Sequence, residues 1–117
     1  MVGSPYCISI ENIKDREEYK ELLANIIDLA NLEVSSSKNG GTACWDIVQL
    51  ERVVIPEMSE LFRYLLSGVL FLKYGKQQRL LESAYLMTDS LNMLGDTPLG
   101  IQIRNLQKKI IAQKDSE

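Results

Sequence analysis

The chain has 117 residues, 45% of them apolar and 25% charged, which places it with ordinary globular proteins and not with disordered chains. Sixteen acidic against 13 basic residues leave a net charge of -3, which disfavours nucleic-acid binding through many phosphate contacts. Histidine is absent, removing the commonest general base and metal ligand, and the two cysteines, Cys7 and Cys44, form no CxxC and no disulfide framework.

These totals predict one domain over residues 1–117 in a reduced, cytoplasmic setting. Met1-Val2-Gly3-Ser4-Pro5 lacks the basic and apolar regions of a secretory signal. Residues 1–14 read as an extended lead-in. Tyr6 to Ile10 alternates like a strand, but no partner strand is visible elsewhere. The expectation is therefore a tail laid on helices and anchored by Ile8, Ile10 and Ile13.

Asp15-Arg16-Glu17-Glu18 has the spacing of a capping box, with Asp15 as N-cap and Glu18 reaching back. Tyr19, Leu22, Leu23, Ile26, Ile27 and Ala30 then recur at steps of three and four and share one face. This predicts a first helix over about Arg16 to Val34. Ser35-Ser36-Ser37-Lys38-Asn39-Gly40-Gly41 should end it as a flexible loop over 35–41, because serines compete for backbone hydrogen bonds and glycines resist ordering. A phosphate-cradling loop would need GxxxxGK[ST], which is missing.

Thr42 can cap a second helix from Ala43 to about Val54. Pro56 lacks a donor and biases Ile55 away from helix, so a break or sharp kink is expected there. The stretch Leu61 to Tyr74 is apolar nearly all round, which demands cover on nearly every side. At about 1.5 Å per residue it spans roughly 21 Å, short of a bilayer core of about 30 Å, so no membrane span is expected. It predicts a central helix at about 57–74, stopped by Gly75. Gly68, beside Ser67, would sit mid-helix and leave a dent, fitted to a neighbouring helix or, in the sharper reading, to a ligand.

Leu80, Leu81, Ala84, Met87, Leu91 and Leu94 predict a fourth helix from Lys76 to Leu94, antiparallel to the third. Tyr64, Gly68 and Phe71 have a spacing similar to the first helix of a tetratricopeptide repeat. Leu80, Ala84 and Met87 depart from that family's second helix, and no second copy follows at its period, so membership does not follow. Thr97 as N-cap and Pro98 as first residue start a fifth helix. Leu99, Ile103, Leu106 and Ile110 form its narrow apolar seam, Lys108, Lys109 and Lys114 load its end, and 114–117 should fray.

The fold expected is all-α: a four- to five-helix bundle around the helix at 57–74. Without a histidine no Ser-His or Cys-His pair exists. Glu17, Glu18, Glu21 and Glu33 fall on a solvated helix face, and Glu57 and Glu60 at a helix start, where capping explains them. The function expected is a non-enzymatic protein-interaction module, an adaptor, small chaperone or regulator, needing no cofactor or metal. Its partner would be another protein or a second copy in a homodimer, met by Leu99, Ile103, Leu106, Lys108, Lys109 and Ile110. The alternative is a small-molecule-binding bundle or an enzyme with a pocket near Ser67-Gly68.

Overall fold

The computed structural model describes residues 6–38, 40, 45–72, 81–86 and 93–115. They are mostly helical. Strand β1 (Tyr6–Ser9) leads into helix α1 (Ile13–Lys38). A second helical rod is built from α2 (Ile47–Gln49), a π-helical turn over Leu50–Val54 and α3 (Ile55–Leu65). Strand β2 (Val69–Leu72), the short helix α4 (Glu82–Tyr85), a 3-10 turn over Met93–Asp96 and α5 (Pro98–Asp115) follow. Among the described residues no helix is long and apolar enough to cross a membrane.

Tyr6 to Ile10 is the first departure from expectation. It does find a partner: β1 runs antiparallel to β2, with Ile8 opposite Leu70 and Ser9 opposite Val69, and Ile10 N–H extends the ladder to the Gly68 carbonyl at 2.8 Å. Ile8 and Ile10 are buried as the anchoring reading requires, but Ile13 is exposed. The helix also begins earlier than the Asp15 box. The Asn12 side chain accepts from Lys14 N–H at 2.8 Å, so an amide three residues upstream of Asp15 caps the first turn.

Tyr19, Leu23, Ile26 and Ala30 form the buried stripe of α1. The helix continues through the serines to Lys38, past the expected end at Val34. Serine lowers helix propensity only mildly, and the stop comes where Gly40 takes φ +78° and its N–H returns to the Ser37 carbonyl at 3.3 Å.

Of the break or sharp kink expected at Pro56, the break is absent: the backbone stays helical from Ile47 to Leu65. The π turn explains how. Ile55 N–H bonds to the Leu50 carbonyl, one residue farther back than in an α-helix. The wider turn loosens the chain just where the proline ring would crowd the preceding carbonyl. The helix begins at Ile47, capped by the Asp46 carboxylate, which accepts from Val48 N–H at 2.7 Å. Thr42, proposed as that cap, lies outside the described residues.

The helix expected over 57–74 ends instead at Leu65. Leu66 to Gly68 turn, and Val69 to Leu72 are a strand, so Gly68 is not mid-helix. Its φ of +80° is a conformation only glycine adopts without strain. The apolar faces that suggested a helix covered all round belong to two elements: Met58, Leu61 and Leu65 on α3, and Leu70 on β2, are all buried. The fourth helix is described only at Glu82–Tyr85, and residues 73–80 and 87–92, where most of it was expected, lie outside the description. A helical hairpin across Gly75 is not formed by the described residues, because β2 occupies the position of the third helix's last turns.

Thr97 and Pro98 start α5 as expected. Thr97 Oγ1 accepts from Gly100 N–H at 3.0 Å and also from the indole N–H of the buried Trp45 at 2.9 Å. The buried residues form one contiguous core in which α1 packs against both α3 and α5.

Candidate functional site

Three polar arrangements stand out against this core. The first is at the turn before β2. Arg16, on the first turns of α1, donates from Nε to the Ile10 carbonyl at 2.6 Å. Its guanidinium covers Gly68 so closely that a Cβ built there would lie 2.7 Å from Nη2. The space at Ser67-Gly68, read from sequence as a dent for a helix or a ligand, is thus occupied by the chain's own arginine. Strand, helix and turn meet on one side chain.

The second is Glu57, on the first turn of α3. Its carboxylate accepts from Glu82 N–H at 2.6 Å, Ser83 N–H at 2.9 Å and the Ser83 hydroxyl at 2.6 Å. Leu81, at the N-cap of α4, offers no side-chain acceptor. Glu57 therefore supplies from another element the acceptor that the free amides of α4 lack. Burial pushes its carboxyl above the ordinary carboxylate value, against the lowering effect of the Ser83 and Glu82 donors. The capping role expected for Glu57 is real, but it serves α4 and not its own helix. Ser83 is fully buried, and its hydroxyl is committed to this cap.

The third is the face made by α1 and α5. The two helices run antiparallel: Glu18, early in α1, pairs with Lys109, late in α5, at 2.8 Å, while Trp45 beyond the end of α1 bonds Thr97 at the start of α5. The Tyr19 hydroxyl donates to the Lys109 carbonyl at 3.2 Å, and Lys109 Nζ lies 4.9 Å above the Tyr19 ring. Burial, with Asp15 and Glu18 nearby, pushes the Tyr19 phenol well above its ordinary value. The hydrogen bond from Lys109 holds the exposed Glu18 carboxyl below its own.

Outside this seam the helices leave an open groove of about 710 Å³, lined by Glu18, Glu21, Leu22, Asn25, Asp28 and Gln102 among others. On the same two helices Leu32 is 65% and Ile101 46% exposed. Glu21, Asp28, Arg104 and Lys108 form no ion pair among the described residues.

The residues singled out from sequence divide sharply. Leu99, Ile103, Leu106 and Ile110 are buried in the chain's own core, so the seam of α5 is used internally and is not open to a partner. Lys109 is half-buried against Tyr19 and Glu18, and Lys108 is exposed. Glu21 is exposed, as the solvated face read from sequence requires, and so is Asp28; Leu32 and Ile101 were not singled out. The signal for Leu32 and Ile101 was available: each lies off the periodic stripe of its helix. Among the described residues no group of three or more Cys, Asp or Glu is placed to hold a metal ion. Comparison with protein-family models, with curated proteins and with solved structures finds no match.

Proposed function

We propose that this chain is a non-enzymatic protein-interaction module, an adaptor, small chaperone or regulator, working through the outer face of α1 and α5. One observation carries the reading: α1 and α5 leave an open groove between them, and the same two helices bear charges with no ion pair among the described residues and two large exposed aliphatics, Leu32 and Ile101. Exposed aliphatics cost free energy unless something covers them, and a two-helix groove is a common seat for a further helix. The polar clusters elsewhere have structural work, Arg16 at the turn and Glu57 at α4, which supports binding over catalysis.

The test is to replace Leu32 and Ile101 with aspartate, singly and together. Because both side chains are exposed, the thermal midpoint should stay within a few degrees of wild type. Association in solution, followed by cross-linking and sedimentation, should be lost. Unchanged association would move the binding face elsewhere and defeat the proposal. A small molecule that stabilises the protein, with an effect abolished by filling the groove at Ala24→Trp, would favour ligand binding in this groove, away from the Ser67-Gly68 position expected from sequence.

A further inference from the structure

We infer that the partner of the α1–α5 face is a second copy of this chain, docked about a two-fold axis that runs lengthwise between the two helices. This rests on the reading above and adds to it the identity of the partner and the pairs that set the register.

The argument is charge complementarity carried by helix geometry. The outer side of α1 is acidic, with Glu21 and Asp28 exposed; the outer side of α5 is basic, with Arg104 and Lys108 exposed; none of the four has an ion pair among the described residues. One face thus carries both signs, in separate strips on neighbouring helices. A purely acidic face would call for a basic partner, whereas a face split in this way complements itself.

The levels also agree. Glu18 stands opposite Lys109 in the antiparallel pair. At about 1.5 Å of rise per residue in both helices, three residues farther along α1 bring Glu21 level with Leu106, midway between Arg104 and Lys108. A two-fold axis along the groove lays α1 of each copy over α5 of the other without changing these levels. Glu21 of each copy then meets the Arg104–Lys108 strip of the other, and symmetry makes the contact twice. Ala24, one turn on, is small and exposed on the same side, which allows close approach. Ile101, level with Ile26 by the same count, comes under the partner's α1, and the interface closes with no face left to extend it.

The experiment is sedimentation of the full chain across a concentration series, with charge reversals. Wild type should form a dimer, not a larger species, and added salt should weaken it because the pairs lie at an exposed rim. Glu21→Lys and Lys108→Glu should each weaken the dimer about tenfold or more, since each sets like charges together in both halves. The double variant Glu21→Lys with Lys108→Glu should recover most of the loss. A monomer persisting to about 200 µM would overturn the inference. So would a dimer indifferent to both reversals, or two single losses that add in the double variant. If the monomer instead binds a basic amphipathic peptide through the groove, self-association is refuted while the broader interaction reading survives.

Discussion

The two ends of α3 carry opposite lessons. At its N-terminal end Pro56 is a strong local breaker, yet the chain stays helical across it. At its C-terminal end Leu66 to Leu72 contains no proline and reads as continuous apolar helix, yet the chain turns and becomes a strand. The difference is where each backbone group finds a partner. Before Pro56 the π turn gives Ile55 N–H a carbonyl at Leu50, so helix survives. After Leu65 the Gly68 carbonyl receives Ile10 N–H, and β1 supplies a ladder for the next four residues. Local propensity was overruled at both ends, once by a wider helical turn and once by a strand from elsewhere in the chain.

The comparison can be broken most severely in the core on either side of the turn. Leu65→Ala at the end of α3 and Leu70→Ala in β2 should each destabilise by roughly 2–5 kcal/mol in urea unfolding, since both side chains are fully buried. A small effect at Leu70 alone would mean that β2 is not held as described.

Glu57→Ala should follow, at roughly 1–3 kcal/mol, because it strands two backbone amides at the start of α4 and the hydroxyl of the buried Ser83. The same residue gives a pH test. Its carboxyl titrates higher when folded than when unfolded, so its ionisation opposes folding: its contribution is most favourable below the ordinary carboxylate value and declines as pH rises through the raised one. Wild-type stability minus that of Glu57→Gln should therefore fall with rising pH across that window; a difference that rises would reverse the assignment.

Gly68→Ala should cost roughly 1–3 kcal/mol, from a positive φ and the displacement of Arg16, and Gly68→Asn less, since asparagine tolerates that region. If Gly68 were helical, alanine would stabilise instead, so the sign alone decides. The smallest effect is expected at Pro56→Ala. With the π turn already accommodating the ring, stability should change by no more than about 1 kcal/mol. A gain of several would show that the proline strains the rod.

The candidate face was legible only in part. Leu99, Ile103, Leu106 and Ile110 declared themselves as a stripe, but a stripe does not say whether it faces the chain's own core or another molecule. The pairing of Glu18 with Lys109 and of Trp45 with Thr97 joins residues 91 and 52 positions apart, and no spacing rule reaches so far. That Leu32 and Ile101 lie off the stripes of their helices was legible in the sequence; that the two helices stand side by side was not.

Elements governed by short-range chemistry could be read directly from the residues: the buried stripe of α1, and Thr97-Pro98 opening α5. These depend on groups within one helical turn of one another. What tertiary structure alone decided was the fate of backbone groups with distant partners. Tyr6 to Ser9 became a strand because Val69 to Leu72 was there to receive it. Glu57 became the cap of another helix because α4 began with free amides against it. An unpaired peptide group is costly to bury wherever its partner comes from, and periodicity along the chain carries no information about partners that arrive from far away in sequence.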